Sequence, residues 1–146
     1  MFYLTKSVNI SIGHRLSGHE VCKNIHGHDL EISVTVMSKK LDNRGMVIDF
    51  KELEKIIKDS VSLIDHAFIY NYEDSLSSNI EKLLSNDDHD CDLKFIKLLS
   101  NPTIESIAKF IYYDMKNKLL GYDNIDLLCV KITEGKNSEV EFTGIL

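Results

Sequence analysis

The chain opens on strict alternation: Phe2, Leu4, Val8, Ile10 and Ile12 are apolar, while Tyr3, Thr5, Ser7, Asn9 and Ser11 are polar. A two-residue period over this length predicts a half-buried strand, and His14 continues its apolar parity unless a bulge at Gly13 shifts it. Leu30, Ile32, Val34 and Val36 repeat the pattern in a second strand, which extends the covered parity back to His28 and His26. The period then changes. Asp42 to Gly45 reads as a turn, and Phe50, Leu53, Ile56, Ile57, Val61 and Ile64 recur near every 3.6 residues, predicting an amphipathic helix. Asp49 is its expected N-cap, with Glu52 placed to complete a capping box. A second helix is expected from Thr103, just after the single proline, Pro102, with Ile104, Ile107, Ala108, Ile111 and Met115 as its stripe and Gly121 at its end. Ile125 to Glu134 and Glu139 to Ile145 form a closing hairpin around Gly135 and Asn137. Two helices covering one face of a four-stranded antiparallel sheet give an α+β layer architecture.

Residues 73–99 fit none of these periods and are read as an irregular insert. The run Asp87-Asp88-His89-Asp90 inside it is expected to be a solvated loop, because no spaced set of ligands accompanies it.

Composition narrows the class. The 146 residues, 43% hydrophobic and 27% charged, suit one domain with a substantial core. A net charge of -6 with dispersed lysines argues against a nucleic-acid or anionic-membrane surface. No apolar run reaches the length of a membrane span, and the first residues alternate instead of forming a basic and then greasy leader, so a cytosolic protein is expected. Three cysteines, Cys22, Cys91 and Cys129, suit reduced thiols better than a disulfide framework.

The chemistry concentrates in Cys22-Lys23-Asn24-Ile25-His26-Gly27-His28 together with His14. Residues two apart on a strand share a face, so His26 and His28 converge, and His14 faces the same way from the first strand. Three imidazoles are a common ligand set for a metal with an open fourth position; zinc is the default ion, although other transition metals accept the same donors.

The same segment, the Asp65-His66 pair, the Asn101-Pro102-Thr103 helix start and the late Glu134 resemble the 6-pyruvoyltetrahydropterin synthase family. His14-Arg15-Leu16, Gly18-His19 and Gly45-Met46-Val47-Ile48-Asp49-Phe50 extend the likeness over nearly the whole chain except residues 73–99, and it is greatest to the 6-carboxytetrahydropterin synthase branch. The resemblance implies a tunnelling fold whose subunits close into a barrel, often a hexamer of two stacked trimers. It implies Zn2+ held by His14, His26 and His28, Cys22 as the proton-abstracting thiolate, Asp65 and His66 as proton-transfer partners, and Glu134 as the anchor for a pterin. The implied substrate is dihydroneopterin triphosphate, converted to 6-carboxytetrahydropterin in the queuosine and deazapurine pathway. The sister 6-pyruvoyl reaction and a non-catalytic zinc- or pterin-binding module are the alternatives. For the triphosphate, Arg15 and Lys23 are equal candidates; the only other arginine is Arg44. Asp65 would orient the His66 imidazole and favour its charged form by direct hydrogen bonding where the local backbone permits contact; on a strand the two would point apart and act on different partners.

Overall fold

The computed structural model describes residues 1–86 and 92–146. Two long strands, β1 (Phe2–His14) and β2 (His26–Ser38), run antiparallel from Phe2 opposite Ser38 to His14 opposite His26. The pairing is continuous through Gly13 and Gly27, so no bulge disturbs the parity of His14. α1 (Phe50–Val61) follows, capped as expected: the Asp49 carboxylate accepts from the Lys51 and Glu52 N–H groups at 2.8 and 3.4 Å, an arrangement worth about 1 kcal/mol. The return half of the capping box is not made. Glu52 instead accepts a hydrogen bond from the Tyr122 hydroxyl at 2.6 Å, and burial together with that carboxylate pushes the Tyr122 hydroxyl up to about 12.

The stretch after α1 departs from expectation. It holds β3 (Phe68–Asn71), α2 (Ser75–Ser85) and β4 (Phe95–Leu98) before α3 (Ile104–Leu119) and the hairpin β5 (Leu127–Glu134) and β6 (Ser138–Ile145). Among the described residues the sheet therefore has six strands in the order β4-β3-β1-β2-β5-β6, and three helices accompany it, in place of four strands and two helices. It is also mixed, since β3 runs parallel to both β1 and β4. β3 and β4 have four residues each, too short to establish a period, and the serines of α2 dilute its apolar stripe. Residues 73–99 are thus largely a helix and an edge strand; the acidic run 87–90 lies outside the described residues.

α1 and α3 pack on each other and on one face of the sheet, burying Leu53, Ile57, Ile107, Ile111 and Met115 against Ile12, Leu30, Ile32, Val130 and Ile132. Each fully buried aliphatic side chain stabilises this layer by roughly 2 kcal/mol relative to exposure. The Thr103 hydroxyl caps α3 by accepting from Ser106 N–H at 3.3 Å, which puts Pro102 at the edge of the core beside His14. Among the described residues, no helix is long and apolar enough to cross a membrane.

Candidate metal centre and its surroundings

The β1–β2 register brings the three histidines together. His14 and His26 are cross-strand partners and His28 lies opposite Ile12, all on the parity that buries Ile10, Ile12 and Leu30. Their ring centroids are 4.6, 5.1 and 4.9 Å apart, and one nitrogen from each lies within 4.8 Å of the others. Gly27, between two of them, approaches β1 so closely that an added Cβ would sit 3.0 Å from the Ile12 carbonyl oxygen.

Backbone carbonyls set the tautomers. His14 Nδ1 lies 2.8 Å from the Pro102 oxygen and His26 Nδ1 2.7 Å from the Asn24 oxygen. A carbonyl can only accept, so both Nδ1 atoms carry hydrogen, and in the neutral ring the Nε2 atom keeps the lone pair. Those two Nε2 atoms face each other at 3.1 Å. Opposed lone pairs repel, and a cation held in front of them removes the conflict. His14 is 3% exposed, and burial, with the neighbouring imidazoles His26 and His28, holds its pKa below the ordinary 6.5 despite the favourable Pro102 carbonyl. A neutral imidazole is the form that ligates, so this donor set fits a metal such as zinc, with hydrogen-bonded outer partners of the kind that orient ligand rings.

Glu134, at the end of β5 opposite Leu30, shares the covered parity, and its Oε1 lies 3.4 Å from His28 Nε2. Cys22 is half-buried in the loop joining β1 to β2. Its N–H donates to His19 Nδ1 at 3.0 Å, and its carbonyl accepts from Leu16 N–H at 2.8 Å, which ties the loop into a compact turn. The thiol does not join the three imidazoles as a fourth ligand in the described group. Cys129 is buried in β5, where desolvation pushes its thiol up.

Asp65 and His66 occupy the turn after α1, not a strand, and they do meet. His66 has φ +57°, a left-handed conformation that costs a non-glycine residue about 1 kcal/mol or more. The turn permits the direct contact that a strand would have prevented: His66 Nδ1 lies 2.9 Å from Asp65 Oδ1. The Asp65 carboxylate also accepts from Ser11 N–H at 3.1 Å, and His66 N–H donates to the Ser11 carbonyl at 2.7 Å. The pair lines a groove with Asn9, Ser11 and Asp29, which are outward-parity residues of β1 and β2, and the His66 side chain is 81% exposed. Within one chain, the dyad and the three histidines therefore belong to different faces of the strand pair.

Both arginines are committed to carboxylates. Arg15 Nε lies 3.1 Å from Asp74 Oδ2, with side chains 11% and 4% exposed, and Arg44 engages Asp42. Lys23 is exposed. Sequence reasoning missed Pro102 and Asn24 as supports of the ligands because a carbonyl carries no side-chain signature.

A β-sheet layered with helices, carrying three converging imidazoles at the end of its central strand pair, defines an α+β protein with a histidine cluster that could hold a metal ion. Residues 3–144 match the family model described as 6-pyruvoyl tetrahydropterin synthase, and the chain belongs to that family. It is 30% identical over 147 residues to the 6-carboxy-5,6,7,8-tetrahydropterin synthase of Haemophilus influenzae, covering 97% of this chain and 99% of that protein. It is also 30% identical over 144 residues to the enzyme of the same name from Rickettsia typhi, with coverage of 97% and 99%. In structure it resembles the 6-pyruvoyl tetrahydropterin synthase of Plasmodium vivax, with a TM-score of 0.73 at 15% identity over 100% of both chains. An uncharacterized protein from Wolinella succinogenes gives 0.78 at 20% identity over 97% of each. These two likenesses bear on the fold.

Proposed function

We propose that the protein is a zinc-dependent 6-carboxytetrahydropterin synthase, converting 7,8-dihydroneopterin triphosphate to 6-carboxytetrahydropterin, acetaldehyde and triphosphate in queuosine or deazapurine biosynthesis. The observation that carries the reading is the trio of imidazoles, two with lone pairs held inward by backbone carbonyls, with Cys22 four residues before His26. The name shared by the Haemophilus and Rickettsia relatives supports the carboxy branch over the pyruvoyl one.

His14, His26 and His28 hold the metal, which when bound supplies Lewis-acid polarisation of the substrate's side-chain hydroxyls and so lowers the cost of an anion on the adjacent carbon. Cys22, as its thiolate, takes the proton from that carbon. His66 takes up and passes on a proton at Nε2, while Asp65 accepts its Nδ1–H and fixes the ring. Glu134 accepts two parallel N–H bonds from the pterin ring and its exocyclic amine, which sets orientation as well as attraction. Arg15, ion-paired with Asp74 through Nε while its buried Nη1 has no hydrogen-bond partner among the described residues, and the exposed Lys23 are the two candidate cations for the triphosphate.

The site is completed by a second copy of the chain. The dyad borders a groove lined mainly by outward-parity residues of β1 and β2, whereas the trio lies on the covered parity, and on this reading a neighbouring subunit's His66 serves this subunit's metal. Most of β1 on the β3 side and the outer edge of β6 carry unpaired backbone groups, and ring closure into a barrel, as a hexamer of two trimers, satisfies them.

Mass spectrometry of the products from dihydroneopterin triphosphate and the zinc-loaded protein tests the assignment. 6-Carboxytetrahydropterin with acetaldehyde is expected. A pyruvoyl product transfers the protein to the sister reaction, and absence of turnover leaves a metal- or pterin-binding module.

A further inference from the structure

Residues 92–99 approach the Asp65–His66 turn from the side opposite β1. The Lys94 ammonium donates to the Ser62 carbonyl at 2.6 Å and to the Asp65 carbonyl at 2.9 Å. Ser62 is the C-cap of α1, so its carbonyl has no continuing helix to bond it, and Asp65 precedes the left-handed residue His66. Lys94 is itself anchored: its carbonyl accepts from Phe68 N–H at 2.9 Å, and the next residue, Phe95, pairs with Phe68 in the parallel β3–β4 register. One side of the turn is therefore held by β1, through Ser11, and the other by a cation delivered from the strand that the insert adds.

We propose that Lys94 is a positioning residue for the Asp65–His66 dyad, holding the turn in the conformation in which Asp65 accepts the His66 Nδ1–H. This rests on the reading of Asp65 and His66 as proton-transfer partners. The physical ground is over-determination. A left-handed histidine relaxes toward ordinary backbone unless neighbouring bonds oppose it, and the carbonyl immediately before His66 is gripped by a charge-assisted bond. Relaxation would separate the two side chains and release the imidazole to its intrinsic tautomer, in which Nε2 carries the hydrogen. That tautomer cannot donate to Asp65 from Nδ1. An exposed lysine at the end of a helix is otherwise an ordinary cap, and a cap alone would affect stability without touching the tautomer of His66.

The test combines long-range proton–nitrogen imidazole spectra of the 15N-labelled, zinc-loaded full-length protein with steady-state kinetics of Lys94→Met and Lys94→Arg. In the parent, His66 is expected as the Nδ1–H tautomer. Lys94→Met is expected to shift it toward Nε2–H and to lower kcat by roughly tenfold with KM little changed, the scale of a modest misalignment. Lys94→Arg, whose guanidinium can span both carbonyls, restores both readouts. If Lys94→Met leaves the tautomer and kcat unchanged, or lowers only the melting temperature, the proposal is overturned. Should Lys94→Met not fold, Lys94→Gln carries the same two readouts. If the parent turns over no pterin and Lys94→Met still shifts the His66 tautomer, the positioning role stands and the enzymatic reading is removed.

Discussion

The molecule holds histidines in two opposite settings. His14, His26 and His28 lie on the covered face of a thirteen-residue strand pair, with His14 3% exposed, and two of the three rings have their Nδ1 bonded to carbonyls. His66 stands on a strained turn, 81% exposed, with its Nδ1 bonded to a carboxylate. Burial favours a neutral ring at His14, and a carbonyl on Nδ1 fixes which nitrogen of a neutral ring keeps the lone pair that a metal requires. A carboxylate partner and solvent access favour a ring that can accept a proton and pass it on. The residue type is the same; the partner of Nδ1 and the access of water assign the task. The supports differ in kind as well. The trio rests on a long ladder, whereas the dyad rests on a few bonds from Ser11 and Lys94, so the second region is the easier to perturb without unfolding the first.

The sharpest way to break the contrast is His26→Ala. Removing one of three ligands should abolish stoichiometric zinc and reduce turnover to background, read by metal analysis and the product assay, whereas His66→Ala should keep full zinc while losing roughly a hundredfold or more in kcat. Mixing the two kinds of defect comes next. Unfolded and refolded together, Cys22→Ala and His66→Ala proteins should regain a fraction of parental activity that neither has alone, if neighbouring subunits contribute the dyad and the thiol to one site. Unmixed activity in the combined sample would place the whole machinery within one chain. The smallest effect concerns the support beneath the metal loop. Asp74→Ala leaves Arg15 charged and 11% exposed without its partner, which should cost about 3 kcal/mol, measured as a lowered urea midpoint at unchanged zinc content.

Much of the three-histidine cluster could be read from the chain. Alternation in residues 2–14 and 26–38 gives parity, parity gives a shared face, and a shared face brings three imidazoles together once the strands pair. The helix stripes of α1 and α3, their Asp49 and Thr103 caps and the Gly135 hairpin were equally legible, because each is a local preference of the backbone. Legibility failed where contacts are distant or elements short. β3 and β4 exist as strands because they pair in parallel with each other and with the end of β1, and four residues carry no period of their own. α2 is held by Asp74 against Arg15 and by Glu81 between Tyr70 and Lys97, contacts that no window of sequence around residue 80 contains.

The site divides along the same line. The shared face of His14, His26 and His28, the cysteine spacing and the adjacency of Asp65 to His66 are properties of the sequence, because covalent order and the two-residue strand period dictate them. The tautomers of His14 and His26, the meeting of the Asp65 and His66 side chains through a positive φ, the capture of Arg15 by Asp74 and the grip of Lys94 on the dyad's turn were decided only by tertiary structure. Each depends on a backbone carbonyl or a charged side chain brought close by folding, and a hydrogen bond or ion pair acts over distances that sequence separation does not encode.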